Sequence, residues 1–273
     1  MAVDKLVDSA QLDADLTSVA NAIRAKSGGS GQLSFPAGFI SEIEDIPSGG
    51  GGASVVDELL GLTPTGDVVY VPDANVPMYA IIGKKRVSKL TIDFQDGYDF
   101  VNQSSGAIVS NEIPIVVING RNGVHLPNYV IQNCKTPFII VIKGIVYLSG
   151  QNTFRNNSGL TLCDITWTSG NGIGYNEFMA DSSFETLILR SESVVPLANI
   201  NAFTSNTKFA SGGTGGTLYV PQSLLSEYQS ATNWSTILGY TNNQIKSIES
   251  THTDPNAPID LTTHYADGTP ISS

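Results

Sequence analysis

Charge is what this sequence most lacks. Asp, Glu, Lys and Arg make up 14% of its 273 residues, against roughly 25% in an ordinary soluble domain. Acids outnumber bases 25 to 14, so the net charge is −11. A nucleic-acid binder needs a cationic surface to displace counterions from phosphates. The densest basic run here, Lys84-Lys85-Arg86 with Lys89, reads as a solvated loop or strand end, and no nucleic-acid partner is expected. Cysteine is scarce too. Cys134 and Cys163 offer no metal-ligand spacing and no disulfide framework. Their apolar neighbours make small buried hydrophobes the favoured reading, with a bridge between the two as the alternative. His125, His252 and His264 have no further His, Cys or carboxylate spaced to share one face, so no metal is expected. Neither a Gly-x-Ser-x-Gly elbow nor a Gly-x4-Gly-Lys phosphate loop occurs, and no cofactor is expected. Gly170-Asn-Gly-Ile-Gly, with no long helix pattern after it, reads as a turn. No apolar run approaches the roughly 20 residues that span a bilayer. The start, Met1-Ala-Val-Asp-Lys-Leu, has no basic region before an apolar core. The expectation is synthesis in a cytoplasm without a membrane partner.

Hydrophobic residues, at 41%, are plentiful enough for a core. The chain begins with helical periodicity: Leu12, Leu16, Val19, Ala20 and Ile23 fall on one face. Asp13 and Asp15 near its start and Arg24 and Lys26 near its end suit the helix dipole. Gly28-Gly29 stops it. A second short helix starts at Ser34 with Pro36 in its first turn, and Phe39, Ile40, Ile43 and Ile46 form its stripe. Each helix is too short to hold alone in water. Residues 1–47 therefore read as a helical docking module. The Gly run at 49 to 52 makes 48–54 a flexible linker.

From residue 55 the pattern turns to strands. Val68-Val-Tyr-Val, Lys89-Leu-Thr-Ile-Asp-Phe and Pro114-Ile-Val-Val-Ile mark a β-rich region over 55–124. A repeat then sets in, with Asn133-Cys-Lys-Thr-Pro-Phe-Ile-Ile, Asn156-Asn-Ser-Gly-Leu-Thr-Leu-Cys and Ala180-Asp-Ser-Ser-Phe-Glu-Thr-Leu as its copies. An apolar residue precedes each copy, at Ile131, Phe154 and Phe178, and Phe203 continues the series, with spacings of 23, 24 and 25. A near-constant period in the twenties predicts a solenoid whose coils each give one strand and one buried knob. Thr217-Leu-Tyr-Val-Pro, a helix from Pro221 with Leu224, Leu225, Tyr228 and Trp234 inward, and a strand with Ile245 and Ile248 would cap it. The fold class is thus α+β, mainly β. Residues 251–273, polar with three prolines, read as an extended arm.

Two stretches resemble known families. Leu16-Thr-Ser-Val-Ala-Asn-Ala-Ile-Arg-Ala-Lys-Ser-Gly, then Leu33-Ser-Phe-Pro-Ala-Gly-Phe-Ile and Ile43-Glu-Asp-Ile, resembles a short module of tail and baseplate proteins in phages of Gram-positive hosts. The region 125–250 resembles BspA-type leucine-rich repeats, most clearly in Leu218-Tyr-Val-Pro, Tyr228 and Ala231-Thr-Asn-Trp-Ser. The first resemblance implies a structural component of the virion, in a tail fibre or baseplate, with other virion proteins as partners. The second is shared by surface adhesins and phage fibres and implies a leucine-rich-repeat-like body.

The expected function is therefore assembly and host attachment, by a homo-oligomer for which a trimer is one candidate, and with no enzymatic step. Ile40, Ile43 and Ile46 are the expected docking residues, because so short a helical pair has little core of its own. Aromatic faces stack on sugar rings, so Trp167 and Tyr175 are candidates for contact with a host cell-surface glycan; Trp234 reads as core. Two alternatives stay open: a capsid-decorating head fibre, and a carbohydrate-binding adhesin or polysaccharide hydrolase. A glycosidase needs two acids about 5 to 9.5 Å apart, and Asp93, Asp96 and Asp99 near Phe94, Tyr98 and Phe100 are the acids to consider.

Overall fold

The computed structural model describes residues 13, 16–21, 23–24, 32–34, 39, 65–77, 81–82, 87–95, 97–100, 106–109, 112–148, 151–168, 172–206, 208–209, 215–238, 244–254, 257 and 259–271. The chain divides into two compact units, Met1–Gly66 and Asp67–Ser273. In the first, residues 16–21 and 23–24 are helical. Ala20, Ile23 and Phe39 form a small buried cluster, with Leu16 and Leu33 packed on it. Val19, expected on the same stripe, is 49% exposed. Ile40, Ile43 and Ile46 lie outside the described residues.

The second unit is β-rich, a parallel β-solenoid of about six turns. Among the described residues the strands are β1 (Thr65–Tyr70), β2 (Ile81–Ile82), β3 (Val87–Phe94), β4 (Ile108–Val109), β5 (Ile115–Leu126), β6 (Ile131–Gln132), β7 (Phe138–Leu148), β8 (Leu160–Thr166), β9 (Thr186–Arg190), β10 (Thr217–Val220) and β11 (Ile245–Ser247). Eight form one sheet in the order β1-β3-β5-β7-β8-β9-β10-β11, and β2-β4-β6 form a second. Pairing is parallel from β3 through β11. β5 crosses residue 124 and pairs with β7 on both sides of a register shift between Gly120 and Val124, so the β-rich region and the repeat body expected on either side share one sheet.

Parallel register puts equivalent residues of successive coils side by side. Leu90, Val116, Ile140, Cys163, Leu187, Leu218 and Ile245 align across seven strands and are all buried. Two residues on, Ile92, Ile118, Ile142, Ile165 and Leu189 make a second buried column. Each such side chain contributes about 1.5–3 kcal/mol of burial, which no single coil could collect alone. Opposite the sheet stand the knobs. Ile131, Phe154, Phe178 and Phe203 are at most 1% exposed. The rings of Phe154, Phe178 and Phe203 stack at 5.3 Å per step, and Phe184 and Phe209 join them.

Between knob and strand each coil turns at a residue with positive φ: Asn133, Asn156, Ala180 and Ser205, at 59°, 66°, 62° and 66°. The left-handed region is cheapest for Gly and Asn, which explains why Asn opens two of the copies. The next residue in each coil, Cys134, Asn157, Asp181 or Asn206, is buried. The Asn157 amide donates to the carbonyls of Ile131 and Phe154, and its oxygen accepts from the Cys134 N–H. Asn206 donates to the carbonyls of Asp181 and Phe184 and accepts from the N–H groups of Lys208 and Phe209. Coils approach closely here. A Cβ on Gly159 would lie 2.0 Å from the Thr136 carbonyl oxygen, so only glycine fits.

After β10 the chain forms α1 (Leu225–Ser230) and α2 (Trp234–Ile237), and α3 (Ser250–Thr253) follows β11. Tyr228 and Trp234 are fully buried. The expected extended arm takes another course: residues 259–271 fold back on the outer face of the sheet, where Leu261 clusters with Ile188 and Ile248.

Asp181 is the misfit of the turn column. Its Oδ1 accepts from the Asn157 N–H, but its Oδ2 has no hydrogen-bond partner among the described residues. An ionised carboxylate cannot donate as the neighbouring amides do. Burial pushes the carboxyl well above its ordinary value, against the hydrogen bond from Asn157. Burial also raises the Glu177 carboxyl to about 7, against hydrogen bonds from Thr153. A raised carboxyl stabilises the fold fully below its unfolded value near 3.9–4.3, and that contribution is lost as pH rises through the folded value. Asp181→Asn should therefore stabilise the body by about 1–3 kcal/mol at pH 8, the cost of an unsatisfied buried group. Urea unfolding should show the gain shrinking as the pH is lowered toward 4.

Candidate functional site

The outer face of the sheet is unusual in being apolar as well. Val117, Val141 and Ile188 alternate with the inward columns, yet are at most 2% exposed. A parallel sheet buried on both faces needs a second layer. Part of that layer is the C-terminal strap, residues 259–271, and charges fasten it. Asp164, buried on β8, faces Arg190 of β9 in a two-pronged pair, with Nε–Oδ1 at 2.7 Å and Nη2–Oδ2 at 3.0 Å. Asp164 Oδ2 also accepts from the Ala266 N–H. Arg190 then donates to the strap carbonyls of Leu261 and His264 at 2.7 and 3.0 Å. Further along, Asp267, its side chain fully buried, sits between Lys89 of β3 at 2.8 Å and Lys143 of β7 at 3.4 Å. The Tyr265 ring lies under both Lys143 and Arg190, at 4.4 and 5.0 Å.

Beside the strap, where β8, β9, β10 and β11 end, a cavity of about 970 Å³ opens. Trp167, Arg190, Glu192, Ser193, Glu249 and Tyr265 stand in its wall. Parallel strands deliver these residues together, because each strand leaves the sheet at the same edge. Trp167 follows β8 and is 9% exposed; Glu192 and Ser193 follow β9. Tyr228 and Trp234 hold one side rigid: the Val195 N–H donates to the Tyr228 hydroxyl and the Trp234 indole N–H to the Val195 carbonyl, both at 2.8 Å. The wall's one cation is spent on Asp164 and the strap. Its carboxylates, Glu192 and Glu249, are both exposed, and Glu249 accepts from the Gln222 N–H.

Of the residues singled out for glycan contact, Trp167 lines this cavity, whereas Tyr175 is 48% exposed and pairs with Gln151 away from it. The docking isoleucines fall outside the described residues, as does Asp96. Asp93 is 5% exposed and receives bonds from Arg121, Asn119 and Gln95. Asp99 holds His125, at 2.8 Å, and the N–H of Phe100. Asp93 and Asp99 thus serve as fastenings between coils. Cys134 and Cys163 are buried free thiols. Burial, with the charge of Asp164 next, pushes the Cys163 thiol well up. Sequence reasoning missed the strap and Arg190. The signal was the continuous apolar run in β5 and β7, which alternation with solvent would have interrupted.

Burial alone would raise the Asp267 carboxyl, but hydrogen bonds from Lys89 and Thr269 and the lysine charges outweigh it and hold it below its ordinary value. Its contribution is present above the unfolded value near 3.9 and is lost as pH falls through the lowered one. Asp267→Asn should cost about 2 kcal/mol, the scale of hydrogen bonds to charged groups. Hydrogen exchange should speed up in residues 259–271 of the variant while the inner columns stay protected. Scans of this chain against protein-family models, curated proteins and solved structures return no match.

Proposed function

We propose that this chain is a structural component of a phage virion, of the tail-fibre or baseplate type, acting through assembly and contact with the host surface. The observation that carries this reading is the repeat body, whose coils stack on shared buried columns and whose outer face is strapped by buried ion pairs. Stacked coils with a rigid surface suit a protein that recognises by complementarity. In this reading 1–47 docks onto other virion proteins through Ile40, Ile43 and Ile46. The repeat body is leucine-rich-repeat-like, α1 and α2 cap it, and the assembled form is a homo-oligomer.

A second reading, a carbohydrate-binding adhesin, draws support from the cavity beside Trp167. A capsid-decorating fibre shares the modular logic and differs only in location. A chain lacking residues 1–47 should keep the body's melting transition and fail to join particles. Incorporation of the truncated chain at the full-length level would overturn the docking assignment. Gold-labelled antibody against residues 54–250 should mark the tail tip; label on the capsid selects the decorating fibre, and bare particles refute the virion reading.

A further inference from the structure

We infer that the cavity at the strand ends is a binding site for an uncharged saccharide. The inference deepens the host-contact side of the reading above, on which it rests for its setting, while its chemistry comes from the cavity alone. Three observations converge.

Size is the first. About 970 Å³ lies at the upper end of the roughly 300–1,000 Å³ typical of ligand sites. The second is charge. The charged residues of the wall are Arg190, Glu192 and Glu249. Arg190, already paired with Asp164 and bonded to two strap carbonyls, has its charge compensated within the wall. Two exposed carboxylates on a chain of net charge −11 repel phosphate, sulfate and carboxylate ligands. Anionic ligands are excluded by the same groups that can accept hydrogen bonds from neutral hydroxyls. The third is the mix of surfaces. Thr168 and Ser193 bring hydroxyls that both donate and accept, beside an apolar wall that includes Trp167 and Pro196. A pyranose ring presents a C–H face and a rim of hydroxyls, and this wall has a counterpart for each. The Thr166 hydroxyl, buried at this wall, has no hydrogen-bond partner among the described residues, so polar capacity remains unused there.

The site is also preformed on one side. Tyr228 and Trp234 pin Val195, so binding would not have to order that segment. On the other side the strap supplies Leu261, Thr262 and Tyr265. A ligand there touches body and strap together.

The full-length chain should be titrated with maltotetraose, cellotetraose and chitotetraose, with a heparin tetrasaccharide and spermidine alongside, by calorimetry and tryptophan fluorescence. Trp234 is fully buried and Trp167 is not, so a fluorescence change reports Trp167. At least one neutral oligosaccharide should bind saturably, and the heparin fragment should not. Ser193→Trp fills the cavity from an exposed position that folding does not depend on, and it should weaken binding about tenfold or more, equivalent to about 1.4 kcal/mol. Glu192→Gln, which keeps a hydrogen-bonding group, should bind neutral sugar while lowering any affinity for spermidine. Three results would each overturn the inference: no neutral saccharide bound, affinity unchanged by Ser193→Trp, or spermidine as the sole ligand. None of these bears on particle incorporation. Saccharide binding by a chain absent from particles would instead remove the virion reading and leave the site intact.

Discussion

The Asp164–Arg190 pair is the contact on which the outer half of this molecule depends. A carboxylate with no exposed surface, lying on a β-strand between apolar neighbours, is costly unless paired and hydrogen-bonded throughout. Here all of its obligations are met: two prongs from Arg190 and an N–H from Ala266. The guanidinium also donates to the strap carbonyls of Leu261 and His264, so body and strap share one hydrogen-bond set. Neither the pair nor the strap is satisfied without the other. That mutual need gives a polar segment with few apolar side chains a single seat on the sheet, which hydrophobic burial alone would specify weakly.

Inside, the governing constraint is the repeat of position along the stack. A coil must place a knob, a left-handed turn residue, a buried turn side chain and a strand at the same heights as its neighbours. Where the side chain is the Asn157 amide, it bonds two carbonyls and the Cys134 N–H of the neighbouring coil at once. Where it is Cys134, the adjacent Asn157 does the bonding. Asp181 keeps the position with one oxygen unpaired. The column tolerates this because the stacked rings of Phe154, Phe178 and Phe203 anchor the same coils a few residues earlier.

Much of the body was legible in the sequence, for a physical reason. Knobs at Ile131, Phe154, Phe178 and Phe203 recur because every coil meets the same environment, so periodicity exposes them. The double-sided burial of β5 and β7 was written in Ile115 to Ile118 and Phe138 to Ile142, whose runs lack the alternation of a half-exposed strand. The strap was not legible. Residues 259–271 owe their seat to Lys89, Lys143, Asp164 and Arg190, which lie roughly 70 to 180 residues earlier, and local composition carries no trace of such partners. Its polar, proline-containing sequence reads as an arm because its large aliphatic side chains are few, at Ile259, Leu261 and Ile271. The cavity was half legible. Trp167 stood out as an aromatic able to stack on a sugar ring, but Tyr175, equally prominent, lies away from the cavity, and only the register of four strand ends separates them.

The buried carboxyls divide by location in a way that sets body and strap against each other in pH. Within the coils, Glu177 and Asp181 are lifted by burial, so protonation is their favourable state and acid strengthens the stack. On the strap, Asp267 is held down by lysines and Asp260 by hydrogen bonds from Thr262 and His252, so ionisation is theirs. Lowering the pH therefore weakens the strap at Asp267 and Asp260 while the coils are most secure. Raising it leaves the strap fastened and forces charge into the interior of the stack. Both parts are served only between these limits, where the coil acids still hold protons and the strap acids do not. The two units of charge chemistry can coexist on one chain because the sheet separates them: the raised acids lie on its inner side, and the lowered ones on its outer.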